Sequence, residues 1–172
     1  MNTQSTRALV IAGLSGGSGK SVASVRLLTT LKAHGLQVQP FKKGPDYIDA
    51  GWLAQAAGRP CYNLDVYLAG PEQVQATFYG HLAGADLVLV EGNRGLFDGV
   101  DAAGSSSTAE LAILLHLPVL LMMNCTKATR TMAALALGCR NFEPRLKLAG
   151  VLLNQVAKTI PFSIFKPLPF LP

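Results

Sequence analysis

The run Gly13-Leu14-Ser15-Gly16-Gly17-Ser18-Gly19-Lys20-Ser21 follows the apolar stretch Ala8-Leu9-Val10-Ile11 and precedes residues with helical periodicity. A strand, a glycine-rich turn and a helix N-terminus in that order bring several backbone N–H groups onto one anion, because glycine allows conformations and a close approach that a Cβ blocks. Lys20 then reaches the terminal phosphates of a nucleotide, and the Ser21 hydroxyl serves a magnesium ion. Leu14 falls where the strict G-x-x-x-x-G-K-[ST] pattern has its first glycine, so the match is a variant one, with Gly13 displaced by a residue. An exposed helix N-terminus is worth only about 0.3–1 kcal/mol to an anion. The lysine and the hydroxyl therefore carry the nucleotide assignment, and Gly16, Gly17, Ser18, Gly19, Lys20 and Ser21 are the expected phosphate contacts.

Behind this loop, apolar segments of strand length alternate with segments of 3.6-residue periodicity. Val22, Val25, Leu28 and Leu31 recur at helical spacing before Gly35, which supplies a stop. Further strands are expected over 36–41, 85–90, 118–123 and 146–153. Helices are expected over 52–57, 71–82 and 129–137, with another opening near 104–110. Residues 61–65 read as a polar crossing in which Asn63 and Asp65 form turns. This alternation, with short connections and no internal repeat, predicts an α/β fold: a mostly parallel, doubly wound sheet of the P-loop NTPase type. At 172 residues the chain suits one domain that buries most of the surface its unfolded form exposes.

In such sheets ligands gather at the C-terminal ends of the strands. One end opens into Lys42-Lys43-Gly44-Pro45-Asp46-Tyr47-Ile48-Asp49, which is charged and aromatic beyond what a connection needs. Pro-Asp sequences also make turns and cap helices, so Asp49 reads either as the N-cap of the helix through 52–57 or as a ligand-side acid. Another end closes in Glu91, the usual partner of a phosphate loop, where a carboxylate holds magnesium or its water. The loop after it, Gly92-Asn93-Arg94-Gly95-Leu96-Phe97-Asp98-Gly99, faces ligand by its glycines and charges.

The net charge of +5 suits anionic ligands, but the fifteen basic residues are dispersed, which argues against nucleic-acid binding. Cys61, Cys125 and Cys139 form no C-x-x-C pair, so neither zinc nor a disulfide framework is indicated, and reduced thiols fit the cytoplasm. The polar start lacks the apolar core of a signal peptide, and the greasiest stretch, 111–123, is too short for a membrane span and contains His116 and Pro118.

Taken together, the phosphate loop, Phe41-Lys42-Lys43-Gly44-Pro45-Asp46-Tyr47-Ile48-Asp49, Asn63-Leu64-Asp65, Val90-Glu91-Gly92-Asn93-Arg94-Gly95-Leu96-Phe97-Asp98-Gly99, Ser107-Thr108-Ala109-Glu110 and Gly150-Val151-Leu152-Leu153-Asn154 resemble the cobyrinic acid a,c-diamide synthase family. The resemblance runs from about residue 8 to about 156 and extends to enzymes that amidate related tetrapyrroles. It implies that ATP and Mg2+ activate a peripheral carboxylate of a tetrapyrrole polycarboxylate as an acyl phosphate, which ammonia from glutamine converts to an amide. By the same resemblance Lys20, Asp46, Glu91 and Asp98 are catalytic. Ser21, Asp46 and Glu91 place magnesium, and Asn154 meets adenine. Lys42, Tyr47, Asp49 and Ser107 lie on the substrate side. A homodimer is the assembly admitted.

Some features depart from the family pattern. Lys43 stands where a small or apolar residue is more usual, and Asn124 where an aspartate is expected after the strand. The expected organisation is a synthetase domain over 1–157, incomplete and without the glutaminase domain that normally follows, and a divergent tail over 158–172 with Pro161, Pro167, Pro169 and Pro172. Two alternatives are a nucleotide-dependent dimerising switch ATPase and an inactive fragment of the amidoligase. Against the switch, Ser15 occupies the place of that class's signature lysine, and nothing in a switch requires Gly44-Pro45-Asp46-Tyr47.

Overall fold

The computed structural model describes residues 7–156, so the tail expected over 158–172 lies outside the described residues. Twelve elements follow in strict alternation apart from one helix pair. They are β1 (Arg7–Gly13), α1 (Lys20–Ala33), β2 (Val38–Lys43), α2 (Tyr47–Ala57), β3 (Tyr62–Leu64), α3 (Val66–Ala69), α4 (Pro71–Gly80), β4 (Leu87–Glu91), α5 (Thr108–Leu114), β5 (Val119–Asn124), α6 (Arg130–Phe142) and β6 (Leu148–Asn154). The strands form one sheet in the order β3-β2-β4-β1-β5-β6, and every neighbouring pair is parallel. The chain winds from β1 toward one edge, returns to insert β4 beside β1, and continues through β5 to the other edge. That reversal opens a crevice at the C-terminal ends of β1, β2 and β4.

Because successive strand residues face opposite sides, the apolar strands feed two cores. On one face Val10, Phe41, Leu64, Val88, Val90 and Leu121 pack with Val74 and Phe78 of α4, Leu111 of α5 and Met132 of α6. On the other, Ile11, Val38 and Leu89 pack with Leu28 of α1 and Leu53 of α2. Each fully buried side chain of this size stabilises the fold by about 1.5–3 kcal/mol, which is why both faces need helices. The alternation also sends Lys42 and Lys43, adjacent at the end of β2, to opposite faces.

Several boundaries differ from the sequence expectation for local reasons. Residues 36–37 do not join β2, because Leu36 N–H turns back to the Leu31 carbonyl (3.1 Å) and Gly35 N–H to that of Lys32 (2.9 Å), closing α1. At its other end β2 runs on through both lysines, since Lys42 pairs in register with Glu91 and Asn63, and Lys43 with Leu64. The polar crossing over 61–65 is in fact the edge strand β3, followed by the short α3, whose N-cap Asp65 accepts from Tyr67 N and Leu68 N. The helix expected over 129–137 continues to Phe142, because Gly138 weakens a helix without ending it.

Candidate functional site

The phosphate loop joins β1 to α1 and is shaped by two glycines. A Cβ on Gly13 would run into Ser18 Oγ, and Gly19 holds φ 94° while a Cβ there would run into Asn154 Nδ2. Beyond Gly19, α1 starts with no side-chain cap and no acidic residue in its first turn, which leaves its opening N–H groups for an anion. The Ser18 hydroxyl is buried and has no partner among the described residues. Lys20 Nζ donates to the carbonyls of Ser15 (3.2 Å) and Arg94 (2.8 Å). Burial pushes its pKa below 10.5 and nearby Lys42 pushes the same way, against the pull of Glu91, Asp49 and Asp98. A phosphate group arriving here would relieve that repulsion.

On the α1 side of the β2–β4 ladder a compact polar cluster forms. Glu91 is wholly buried, and its Oε1 accepts from Lys42 Nζ (2.8 Å) and Ser21 Oγ (2.9 Å). Lys42 Nζ also donates to Asp49 Oδ2 (2.9 Å) and the Gly92 carbonyl (3.2 Å). Ser21 Oγ lies 3.1 Å from Asp49 Oδ2, so its single proton serves one carboxylate at a time. Glu91 Oε2 is buried with no partner among the described residues. Burial alone would lower the Lys42 pKa, but Glu91 and Asp49 outweigh it and the ammonium titrates above 10.5. Burial alone would raise Asp49, but Lys42 and the Ser21 hydroxyl outweigh that, and its carboxyl sits below 3.8.

Five expected placements change. Asp46, expected beside Ser21, is the N-cap of α2: its Oδ1 accepts from Ile48 N and Asp49 N at 3.0 Å, and its Oδ2 stands 3.9 Å from Lys42 Nζ. Asp49, one of whose readings was that cap, lies in the first turn of α2 and turns toward α1, so it is the acid at Ser21 together with Glu91. Lys42, expected to meet substrate, is 1 % exposed and bound on three sides, because it neutralises Glu91 in the interior. Ser107, also expected on the substrate side, is 2 % exposed and caps α5 by accepting from Glu110 N. Asn154, expected at adenine, uses both ends of its amide internally: Nδ2 donates to Ser18 O (3.0 Å) and Oδ1 accepts from Gln155 N (2.9 Å). It braces the phosphate loop.

Tyr47 stands 81 % exposed at the start of α2. Asp98 accepts from Gly95 N (3.0 Å) and lines a cavity of about 310 Å³ with Lys43, Asp65, Asn93 and Arg94. Two residues that the sequence reading did not place hold this wall. Thr108 is wholly buried, and its hydroxyl bridges the backbone of Asn93 by accepting from its N–H (3.2 Å) and donating to its carbonyl (3.1 Å). Arg94 takes a left-handed φ of 50° that presents its carbonyl to Lys20. The hydroxyl pair Ser107-Thr108 was a signal for the first; for Arg94 the charged loop after Glu91 was a signal, but not for its contact with Lys20.

Residues 9–162 match the family model described as "CobQ/CobB/MinD/ParA nucleotide binding domain". The chain is 47% identical over 149 residues to a cobyrinate a,c-diamide synthase of Magnetococcus marinus, covering 87% of this chain and 32% of that protein. It is 46% identical over 150 residues to a hydrogenobyrinate a,c-diamide synthase of Streptomyces coelicolor, covering 87% and 31%. It thus spans about a third of the length of the curated relatives it matches. Among solved structures, chloroplast FtsY of Physcomitrella patens superposes with a TM-score of 0.59 at 21% identity, covering 86% of this chain and 49% of that one. The hydrogenase maturation factor HypB of Archaeoglobus fulgidus superposes at 0.50 and 15% identity, covering 86% and 81%. These structural likenesses bear on the fold alone.

Proposed function

Because this chain belongs to the CobQ/CobB/MinD/ParA nucleotide-binding domain family, we propose that it is the ATP- and Mg2+-dependent synthetase part of an amidoligase acting on peripheral carboxylates of a cobyrinate-type tetrapyrrole. The names of the relatives support this substrate class. One observation carries it: Arg94 joins the two halves of such a site, its carbonyl bound to the phosphate-loop Lys20 and its side chain lining the cavity beyond. A carboxylate in that cavity attacks the γ-phosphorus of ATP to give an acyl phosphate and ADP, and ammonia then displaces phosphate as the C–N bond forms. In this proposal the ammonia is released from glutamine by a glutaminase unit, and the reaction takes place in the cytoplasm.

The donor set fits magnesium. Ser21, Asp49 and Glu91 offer only oxygen, and the buried, unpartnered Glu91 Oε2 is an acceptor that a cation satisfies. Among the described residues no three His, Cys, Asp or Glu side chains converge as a metal cage, so a magnesium ion held by these oxygens would take the rest of its ligands from water and nucleotide. When bound, magnesium neutralises charge on the β- and γ-phosphates. Asp46, at the α2 cap, reaches this cluster only at its edge, 3.9 Å from Lys42 Nζ. Lys42 keeps Asp49 ionised and holds Glu91 in place, and Lys20 exchanges two carbonyls for phosphate oxygens. Attack on phosphorus needs little covalent help, so positioning and charge neutralisation supply most of the rate.

The test is incubation of the purified chain with ATP, Mg2+, ammonium and cobyrinic or hydrogenobyrinic acid, followed by mass spectrometry. An ATP-dependent amide product is expected from the wild type and not from Lys20→Ala. Retained ATP binding with no amide from either acid contradicts the proposal.

A further inference from the structure

The two lysines that end β2 have opposite fates. Lys42 turns to the α1 face and is neutralised by Glu91 and Asp49. Lys43 turns to the other face, is half-buried in the wall of the 310 Å³ cavity, and makes no hydrogen bond or salt bridge among the described residues. Arg94 lines the same cavity, and its guanidinium likewise has no hydrogen-bond or ion-pair partner among the described residues; burial does most to lower the Lys43 pKa, Asp65 pulls the other way, and Arg94 adds to the lowering. Two carboxylates share the wall, each engaged with backbone through one oxygen: Asp65 caps α3 and partly offsets the Lys43 charge, and Asp98 holds Gly95 N. The cavity therefore holds two cations without hydrogen bonds or ion pairs among the described residues, beside two acids each tied to backbone through one oxygen, with Tyr67 and Leu68 as exposed apolar neighbours.

Such an arrangement is costly while empty, since like charges at a half-buried wall repel. It gains when an anion bridges them, and Arg offers a planar fork suited to a carboxylate. Arg94 is also the residue whose carbonyl holds Lys20, so an anion at its side chain sits beside the phosphoryl-transfer centre without being the reacting group. Resting on the function proposed above, we infer that Lys43 and Arg94 form a carboxylate-binding subsite that grips a second, non-reacting carboxylate of the polycarboxylate acceptor and so selects which carboxylate is presented to ATP. Substrates with one carboxylate lack the second grip.

Calorimetric titration in Mg2+ and a non-hydrolysable ATP analogue tests this with two probes, cobyrinic acid and propane-1,2,3-tricarboxylate, against wild type, Lys43→Met, Lys43→Arg and Arg94→Gln. The wild type should bind at least one probe. Lys43→Met and Arg94→Gln should each weaken that binding roughly ten- to hundredfold. Lys43→Arg should restore most of it, and Lys43→Met should bind the ATP analogue as the wild type does. Failure of the wild type to bind either probe, probe binding by the two neutral variants as tight as the wild type's, or a parallel loss of nucleotide binding in Lys43→Met would overturn the subsite; the last would move the cation to the nucleotide phosphates. Amide formation is a separate readout. Probe binding that depends on Lys43 and Arg94, with no ATP- and ammonium-dependent amide, leaves the subsite standing and removes the amidoligase.

Discussion

Asp49 is the acid on which the polar cluster closes, since its Oδ2 meets both Ser21 and Lys42. Its carboxyl titrates below 3.8 in the folded chain. The folded state therefore binds fewer protons than the unfolded one in the window below that value, and the stability Asp49 contributes is fully present above about pH 3.8 and is lost as pH falls through the lowered folded value. Asp49→Asn has no such titration. The gap in urea midpoint between wild type and Asp49→Asn should be constant near neutrality and narrow below pH 3.8; a gap that does not narrow in acid would show that the ion pair is not what holds the carboxylate. At the same scale, the sequence reading set Asp46 beside Ser21 and Asp49 at the substrate side or the helix cap, and the structure exchanges them. That depends on where α2 begins. With Asp46 at the cap, Asp49 falls within the first turn and faces α1.

At the scale of the element, β2 carries the sharpest contrast. The sequence reading placed Lys42 on the substrate side, yet register with β4 sets it opposite Glu91. Removing one partner of a buried pair leaves the other charge uncompensated, which costs about 3–5 kcal/mol. Lys42→Met should therefore lose about that much in denaturant unfolding, while Lys43→Met, one residue along, should change stability by no more than about 0.5 kcal/mol. Equal losses would mean that the two faces of β2 are not distinguished as described. Edge strand β3 shows the converse limit. Its three residues are too few to show a period, and its pairing with β2 comes from the neighbour rather than from its own pattern.

For the whole molecule, nucleotide binding and folding are linked. A ligand that binds only the folded chain stabilises it by about 2.7 kcal/mol at one hundred times its Kd. ATP with Mg2+ should raise the thermal midpoint of the wild type, and Lys20→Ala, which removes the cation of the phosphate loop, should abolish most of that rise. An unchanged midpoint in the wild type at saturating ATP would contradict nucleotide binding. The brace that makes this a property of the whole fold is Asn154, at the end of the last described strand, which donates to Ser18 in the first loop. Phosphate loop and sheet edge are thereby tied across the full order of the chain.

Much of this was legible in the residues alone. Glycine spacing, an apolar strand before it and a periodic helix after it are local properties, so the phosphate loop follows from the sequence, as does the parallel sheet from the alternation of periods. The acid closing β4 was legible for the same reason. Partner choice was not. Which carboxylate meets Ser21, which lysine is buried, and that Arg94 spans nucleotide loop and cavity all depend on strand register and helix start. These bring residues such as Lys42 and Glu91, or Lys20 and Arg94, together across long stretches of chain. Local propensity determined the elements, and only packing, through the need to neutralise buried charge, decided what each side chain faces.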